Sequence, residues 1–128
     1  MAKFTDVLLV EDDPITILVC ERIMKMTSFA DKVTSCLNGK MALAYLLSLK
    51  DKAHLPKIIF LDINMPVMNG WDFLIELDKV RFEFAELPEI FLLSSTIDPE
   101  DYTKAKDFLL VKGFISKPLS KEALDKIL

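Results

Sequence analysis

Soft metal ligands are scarce in this 128-residue chain, which has two cysteines and one histidine. Cys20 and Cys36 stand far apart and outside any C-x-x-C spacing, which excludes a zinc ribbon or dithiol redox pair and fits a reducing compartment. Both read as half-buried thiols. His54 falls in a polar stretch, where an exposed and idle imidazole is expected. Long apolar runs are also missing, since none reaches the roughly 18 residues of a membrane span. The opening MAKFTDVLLV enters a strand pattern without the apolar region and cleavage site of a signal peptide. A cytoplasmic protein with no membrane association is expected. Cations are outnumbered, 16 Lys and Arg against 20 Asp and Glu for a net charge of −4, and they are scattered. The footprint of a nucleic-acid binder is therefore absent, and no direct nucleic-acid partner is expected. With no repeats, low-complexity tracts or linkers, residues 1–128 are read as one domain.

What is present is apolar material, 52% of the residues, enough for a sheet buried on both faces. Strand-length apolar runs alternate with helical patterns five times, the pattern of a parallel sheet wrapped by helices. The first run, Phe4 to Val10, ends in Glu11-Asp12-Asp13-Pro14. Pro14 and the acids before it start a helix reaching Met26, with Ile15, Leu18, Val19, Ile23 and Met26 on one face. Lys32 to Cys36 reads as a second strand. Asn38-Gly39 opens a helix carrying Met41, Ala42, Tyr45, Leu46 and Leu49, and Lys50 to Lys57 is a loop. Ile58 to Leu61, unbroken in its hydrophobicity, is a central third strand. Asp62 to Gly70, with Pro66 and Asn69-Gly70, is a loop, and Trp71 to Val80 a helix with Phe73, Leu74, Leu77 and Val80 inward. Glu89 to Leu93 is a fourth strand. Pro99 starts a helix whose inner stripe is Tyr102, Ala105, Phe108 and Leu109. Gly113 to Ser116 is a fifth strand, and a last helix begins at Lys121. The reading is α/β, a single (βα)5 unit.

In such doubly wound sheets ligands sit beyond the carboxyl ends of the strands, where strand order reverses. Those ends carry Glu11, Asp12 and Asp13, then Asp62, Ser94 and Lys117. Apolar patterning asks for none of these polar residues. Three converging carboxylates must take up protons or be neutralised by a cation. A hard divalent ion such as Mg²⁺ accepts carboxylate oxygens and leaves room for water and phosphate. Asp62 is then placed as an aspartyl nucleophile toward phosphorus, with Ser94 and Lys117 on the phosphoryl oxygens. Asp13, next to Pro14, is equally well explained as a helix cap.

Over essentially its whole length the chain resembles the receiver domains of two-component response regulators, chemotaxis-regulator-like proteins among them. The resemblance lies in LLVEDDP, LDINMPVMNG, LLSS and FISKP, in that order and at family-like spacing. It implies a flavodoxin-like three-layer sandwich with sheet order 2-1-3-4-5. It also implies Mg²⁺, with Mn²⁺ as a substitute, held by Glu11 through water, by Asp12 and Asp62, and by the backbone carbonyl of Asn64. Asp62 becomes the phosphoacceptor, Ser94 and Phe114 the switch pair, and Lys117 the phosphoryl-binding lysine, in a cis peptide with Pro118. Serine stands where threonine is commoner, and Phe114 lacks a tyrosine's hydroxyl. Asn64 and Thr96 occupy positions that tune phosphate lifetime in similar proteins.

The function implied is a phosphorylation-activated switch of a two-component phosphorelay, charged by a histidine kinase or phosphotransfer protein and read by a downstream protein or domain. It is no enzyme beyond its own phosphorylation and dephosphorylation, and is monomeric or weakly dimeric through helix four, strand five and helix five. Two rivals are a Mg²⁺-dependent aspartyl-phosphate phosphohydrolase and a phosphate-independent scaffold of the same fold. The first usually has a second acid where Asn64 stands, and the second usually lacks part of the acid, hydroxyl and lysine set.

Overall fold

The computed structural model describes residues 4–49, 55–65, 68–84, 86–95 and 98–127. His54, Pro66 and Thr96 lie outside the described residues. The elements are β1 Phe4–Val10, α1 Pro14–Met26, β2 Ala30–Cys36, α2 Gly39–Ser48, β3 Ile58–Asp62, α3 Gly70–Val80, a 3-10 turn Arg81–Glu83, β4 Glu89–Ser94, α4 Pro99–Ala105, β5 Val111–Ser116 and α5 Lys121–Ile127. The strands form one parallel sheet in the order β2-β1-β3-β4-β5. This is the expected flavodoxin-like (βα)5 arrangement.

Strand alternation divides the core in two. Leu8 and Val10 of β1, and Ile59 and Leu61 of β3, face a cluster completed by Ala42 and Leu46 of α2, by α3 and by Ala105 of α4. Val7, Leu9, Ile58 and Phe60 face the opposite cluster, completed by Cys20 and Met24 of α1 and Leu124 of α5. Three layers result, with the helices on both faces that a parallel sheet needs. Both cysteines are buried rather than half-buried.

Local chemistry explains the helix starts. Asp13 caps α1, its carboxylate accepting from Thr16 N–H at 3.3 Å and Thr16 Oγ1 at 2.6 Å, with Pro14 at the first helical position. Asn38 caps α2 by accepting from Met41 N–H at 2.9 Å. Asn69 and Asp72 form a reciprocal capping box on α3.

Four further expectations are corrected. The inner face of α1 is Ile17, Cys20 and Met24 with part of Ile23, while Ile15 and Leu18 are 72% and 58% exposed and Val19 and Met26 also face solvent. The helix is apolar nearly all round, so periodicity fits either face, and the sheet takes the one that continues Cys20 to Met24. On α2, Met41 is exposed because it belongs to the capped first turn rather than the buried stripe. The proposed stripe of α4 fails because the helix ends at Ala105. Phe108 and Leu109 lie beyond it, Leu109 and Tyr102 are exposed, and only Ala105 is buried. Strands β2 and β5 begin two residues earlier than the apolar runs, at Ala30 and Val111, because both pair with a neighbour on one side only and tolerate exposed Asp31, Lys32 and Lys112.

Candidate functional site

The same alternation that sorts the core also assembles the site. Glu11 continues the Val7–Leu9 parity of β1, Asp62 the Ile58–Phe60 parity of β3, and Lys117 follows Ile115 of β5 by two residues, all toward the α1 and α5 side. The three side chains therefore converge above the carboxyl ends, across the β1–β3 junction where the strand order reverses.

Their contacts are close. Lys117 Nζ lies 2.6 Å from Glu11 Oε1 and 3.3 Å from Asp62 Oδ2. Glu11 is fully buried, Asp62 2% exposed, and Asp12 partly exposed. The other Glu11 oxygen, Oε2, accepts from Asp12 N–H at 3.1 Å and Asp13 N–H at 3.2 Å. Asp62 Oδ1 accepts from Asn64 N–H at 3.0 Å, which folds the loop after β3 back over the carboxylate. Gly70 closes that loop from its other end: its N–H reaches Ile63 O at 3.4 Å, and a Cβ there would stand 2.7 Å from Ile63 Cα. Gly39 N–H donates to Met68 O at 3.2 Å and docks α2 against the same loop.

Burial pushes the Glu11 carboxyl above its ordinary range, against the pull of Lys117 and with the Asp62 carboxylate adding to the rise. Desolvation and the Glu11 carboxylate raise Asp12 as well. Burial pulls the Lys117 ammonium down, but its hydrogen bond to Glu11 and the charges of Asp62 and Glu11 outweigh this and hold it above its usual value.

Glu11, Asp12 and Asp62 present ligand oxygens within 4.8 Å of one another, the grouping expected for a metal. Three carboxylates face one ammonium, all donors are hard oxygens, and the set fits Mg²⁺ or Mn²⁺ by charge and ligand type. Asp13 is spent as the α1 cap and stays outside the group.

Ser94 is buried at the end of β4, one residue past Leu93, the strand partner of Asp62, and its carbonyl accepts from Lys117 N–H at 2.9 Å. Lys117-Pro118 is cis, as expected. Phe114 is half-buried in β5, and its ring lies 4.5 Å from that of Tyr102. Among the residues named from sequence, Asn64 projects to solvent and meets the site through its backbone. The Glu11–Lys117 pair was not foreseen from sequence, although strand parity could have pointed to it. The Tyr102–Phe114 contact has no such signal, because the apolar periodicity places Tyr102 on the core side of its helix.

The response regulator receiver domain family matches residues 7–128. The chain belongs to this family. A two-component response regulator of Oryza sativa subsp. japonica is 33% identical, the match covering 98% of this chain and 93% of the relative. A hybrid signal transduction histidine kinase of Dictyostelium discoideum is 30% identical over 97% of this chain, which spans only 10% of that much longer protein. Among solved structures, a two-component response regulator from Cytophaga hutchinsonii superposes with a TM-score of 0.85 at 34% identity, over 98% of this chain and 94% of that one. A histidine kinase receiver domain from Arabidopsis thaliana shares the fold, with a TM-score of 0.81 at 24% identity over 97% of this chain and 92% of that one. This receiver domain is thus related both to response regulators and to the receiver domains of histidine kinases. No helix among the described residues is long and apolar enough to cross a membrane.

Proposed function

We propose that this receiver domain is a switch charged at Asp62 by a histidine kinase or phosphotransfer protein, and that its output is a change in affinity for a downstream protein or domain. The observation that carries the reading is the setting of Asp62 at the β1–β3 junction, with Lys117 on one oxygen and Asn64 N–H on the other.

Mg²⁺, or Mn²⁺ in its place, would be held by Glu11 through water, by Asp12 and Asp62 and by the Asn64 carbonyl, and would neutralise charge on the transferring phosphoryl group. An Asp62 oxygen attacks the phosphorus of a phosphohistidine. A P–O bond to Asp62 forms as the P–N bond breaks, and the imidazole leaves with the bonding pair. Lys117 moves its contact from Asp62 to a phosphoryl oxygen, and the Ser94 hydroxyl donates to another. As Ser94 is drawn in, Phe114 turns inward and the surface of α4, β5 and α5 changes, which is also where weak self-association would respond. The exposed stripe of Ile15, Leu18 and Val19 begins beside this edge and gives a phosphodonor's helix an apolar landing.

On this reading the protein is a cytoplasmic signalling component rather than an enzyme with turnover, and it contacts neither nucleic acid nor membrane directly. Asn64, where a hydrolase would place a second acid, disfavours the phosphohydrolase alternative. Titration with beryllofluoride and Mg²⁺ tests the proposal through fluorescence of Trp71, which sits one residue beyond Gly70. A saturable, Mg²⁺-dependent change lost in Asp62→Asn supports it. The absence of any change in fluorescence or amide NMR shifts favours a phosphate-independent scaffold.

A further inference from the structure

Helix α4 buries one residue, Ala105, and is otherwise tied down at its rim. Tyr102, 51% exposed, sets its ring 4.5 Å from the Phe114 ring at an angle of 52°. Two residues on, Lys104 Nζ lies 4.8 Å over the ring of Trp71 in α3. The Tyr102 contact therefore joins α4 to β5. It does so two residues before Ser116, the β5 partner of Ser94.

Tilted aromatic pairs at this separation are favourable beyond the area they bury. The pair is made in the Phe114 rotamer that the structure shows, in which the ring also meets the core cluster on the α4 face of the sheet. We propose that Tyr102 is a positioning residue that holds Phe114 in its resting, α4-facing rotamer and so sets how much phosphoryl signal turns the switch. The inference rests on the reading of Phe114 as the switch aromatic.

A ligand that favours the turned state binds with higher apparent affinity when the resting state is weakened. Loss of the Tyr102 ring should therefore make activation easier, although the variant loses a native contact. A residue that merely packed α4 would act in the opposite direction or not at all.

Two measurements decide this on Tyr102→Ala and Tyr102→Phe. The first is the χ1 population of Phe114 in the resting protein, from three-bond couplings to Cγ, which do not respond to the lost ring current. Tyr102→Ala should spread Phe114 over a second rotamer, whereas Tyr102→Phe, which keeps the ring, should preserve the single one. The second is the Mg²⁺-beryllofluoride midpoint, which should fall about five-fold in Tyr102→Ala, the worth of one aromatic pair, and stay at the wild-type value in Tyr102→Phe. A single unchanged rotamer in Tyr102→Ala, or a midpoint unchanged or raised, overturns the proposal. If wild-type protein ignores beryllofluoride altogether, the phosphoryl reading fails instead, and the resting rotamer populations still decide the role of Tyr102.

Discussion

Lys117 stands 2.6 Å from Glu11, a carboxylate with no solvent exposure, and 3.3 Å from the carboxylate of Asp62. Removing one partner of a buried pair leaves the other uncompensated. Lys117→Met should cost about 3 kcal/mol in urea unfolding. The double variant Lys117→Met/Glu11→Gln should lose less than the sum of the two single changes, because the sites are coupled. Millimolar Mg²⁺ should restore part of the loss in Lys117→Met, a dication at the same carboxylates replacing the missing charge. Additive losses indifferent to Mg²⁺ would show that the three groups do not share one field.

Gly70 has no room for a side chain. A Cβ would stand 2.7 Å from Ile63 Cα and 2.8 Å from Asp62 O, both backbone atoms unable to yield without moving the loop. Gly70→Ala should destabilise by about 2 kcal/mol, as overpacking does. It should also slow phosphoryl uptake by at least roughly ten-fold, since the shift falls on the proposed acceptor, Asp62. Uptake at the wild-type rate would mean that the loop adjusts without disturbing Asp62.

The turn from α1 into β2 holds Ser28 at φ 54, and its N–H donates to Lys25 O at 3.2 Å. Left-handed backbone costs a non-glycine residue roughly 1 kcal/mol, part of which glycine gives back as entropy. Ser28→Gly should stabilise by about 0.5 kcal/mol, and Ser28→Val should destabilise by more than that, because a β-branched residue is poorly tolerated there. Thermal unfolding of the pair checks the sign, and a destabilising glycine would contradict it.

Burial pushes the Cys20 thiol up from its ordinary 9.0 to about 11. In the unfolded chain this thiol ionises first, so between those values the folded state binds more protons and stability falls as pH rises. Cys20→Ser should flatten that alkaline loss. Native protein should resist alkylation at neutral pH at both Cys20 and Cys36, which the fold buries. Rapid labelling without unfolding would contradict the packing.

The layered fold was legible because β1 and β3 are unbroken apolar runs and because Pro14, Asn38-Gly39 and Pro99 mark helix starts by mechanisms that act locally. The residues of the candidate site stood out for the same reason: Glu11, Asp62, Ser94 and Lys117 interrupt or follow apolar strands where packing asks for nothing polar. Burial was harder to read. On α1 the apolar residues surround the helix, and only the sheet's position shows that Met24 turns in and Leu18 turns out. On α4 the stripe drawn through Phe108 and Leu109 assumed a helix that stops at Ala105. Pairings between distant elements, such as Glu11 with Lys117 or Tyr102 with Phe114, depend on strand parity and helix placement together, which no single segment encodes.

The proposed switch stands on phosphoryl uptake at Asp62. The most direct test incubates the protein with Mg²⁺ and a small acyl phosphate, followed by intact mass measurement and mapping of the modified residue. One hydroxylamine-labile phosphoryl group per chain is expected, located on Asp62, not formed when a chelator is present and absent from Asp62→Asn. Equal loading of Asp62→Asn under the same conditions would contradict it.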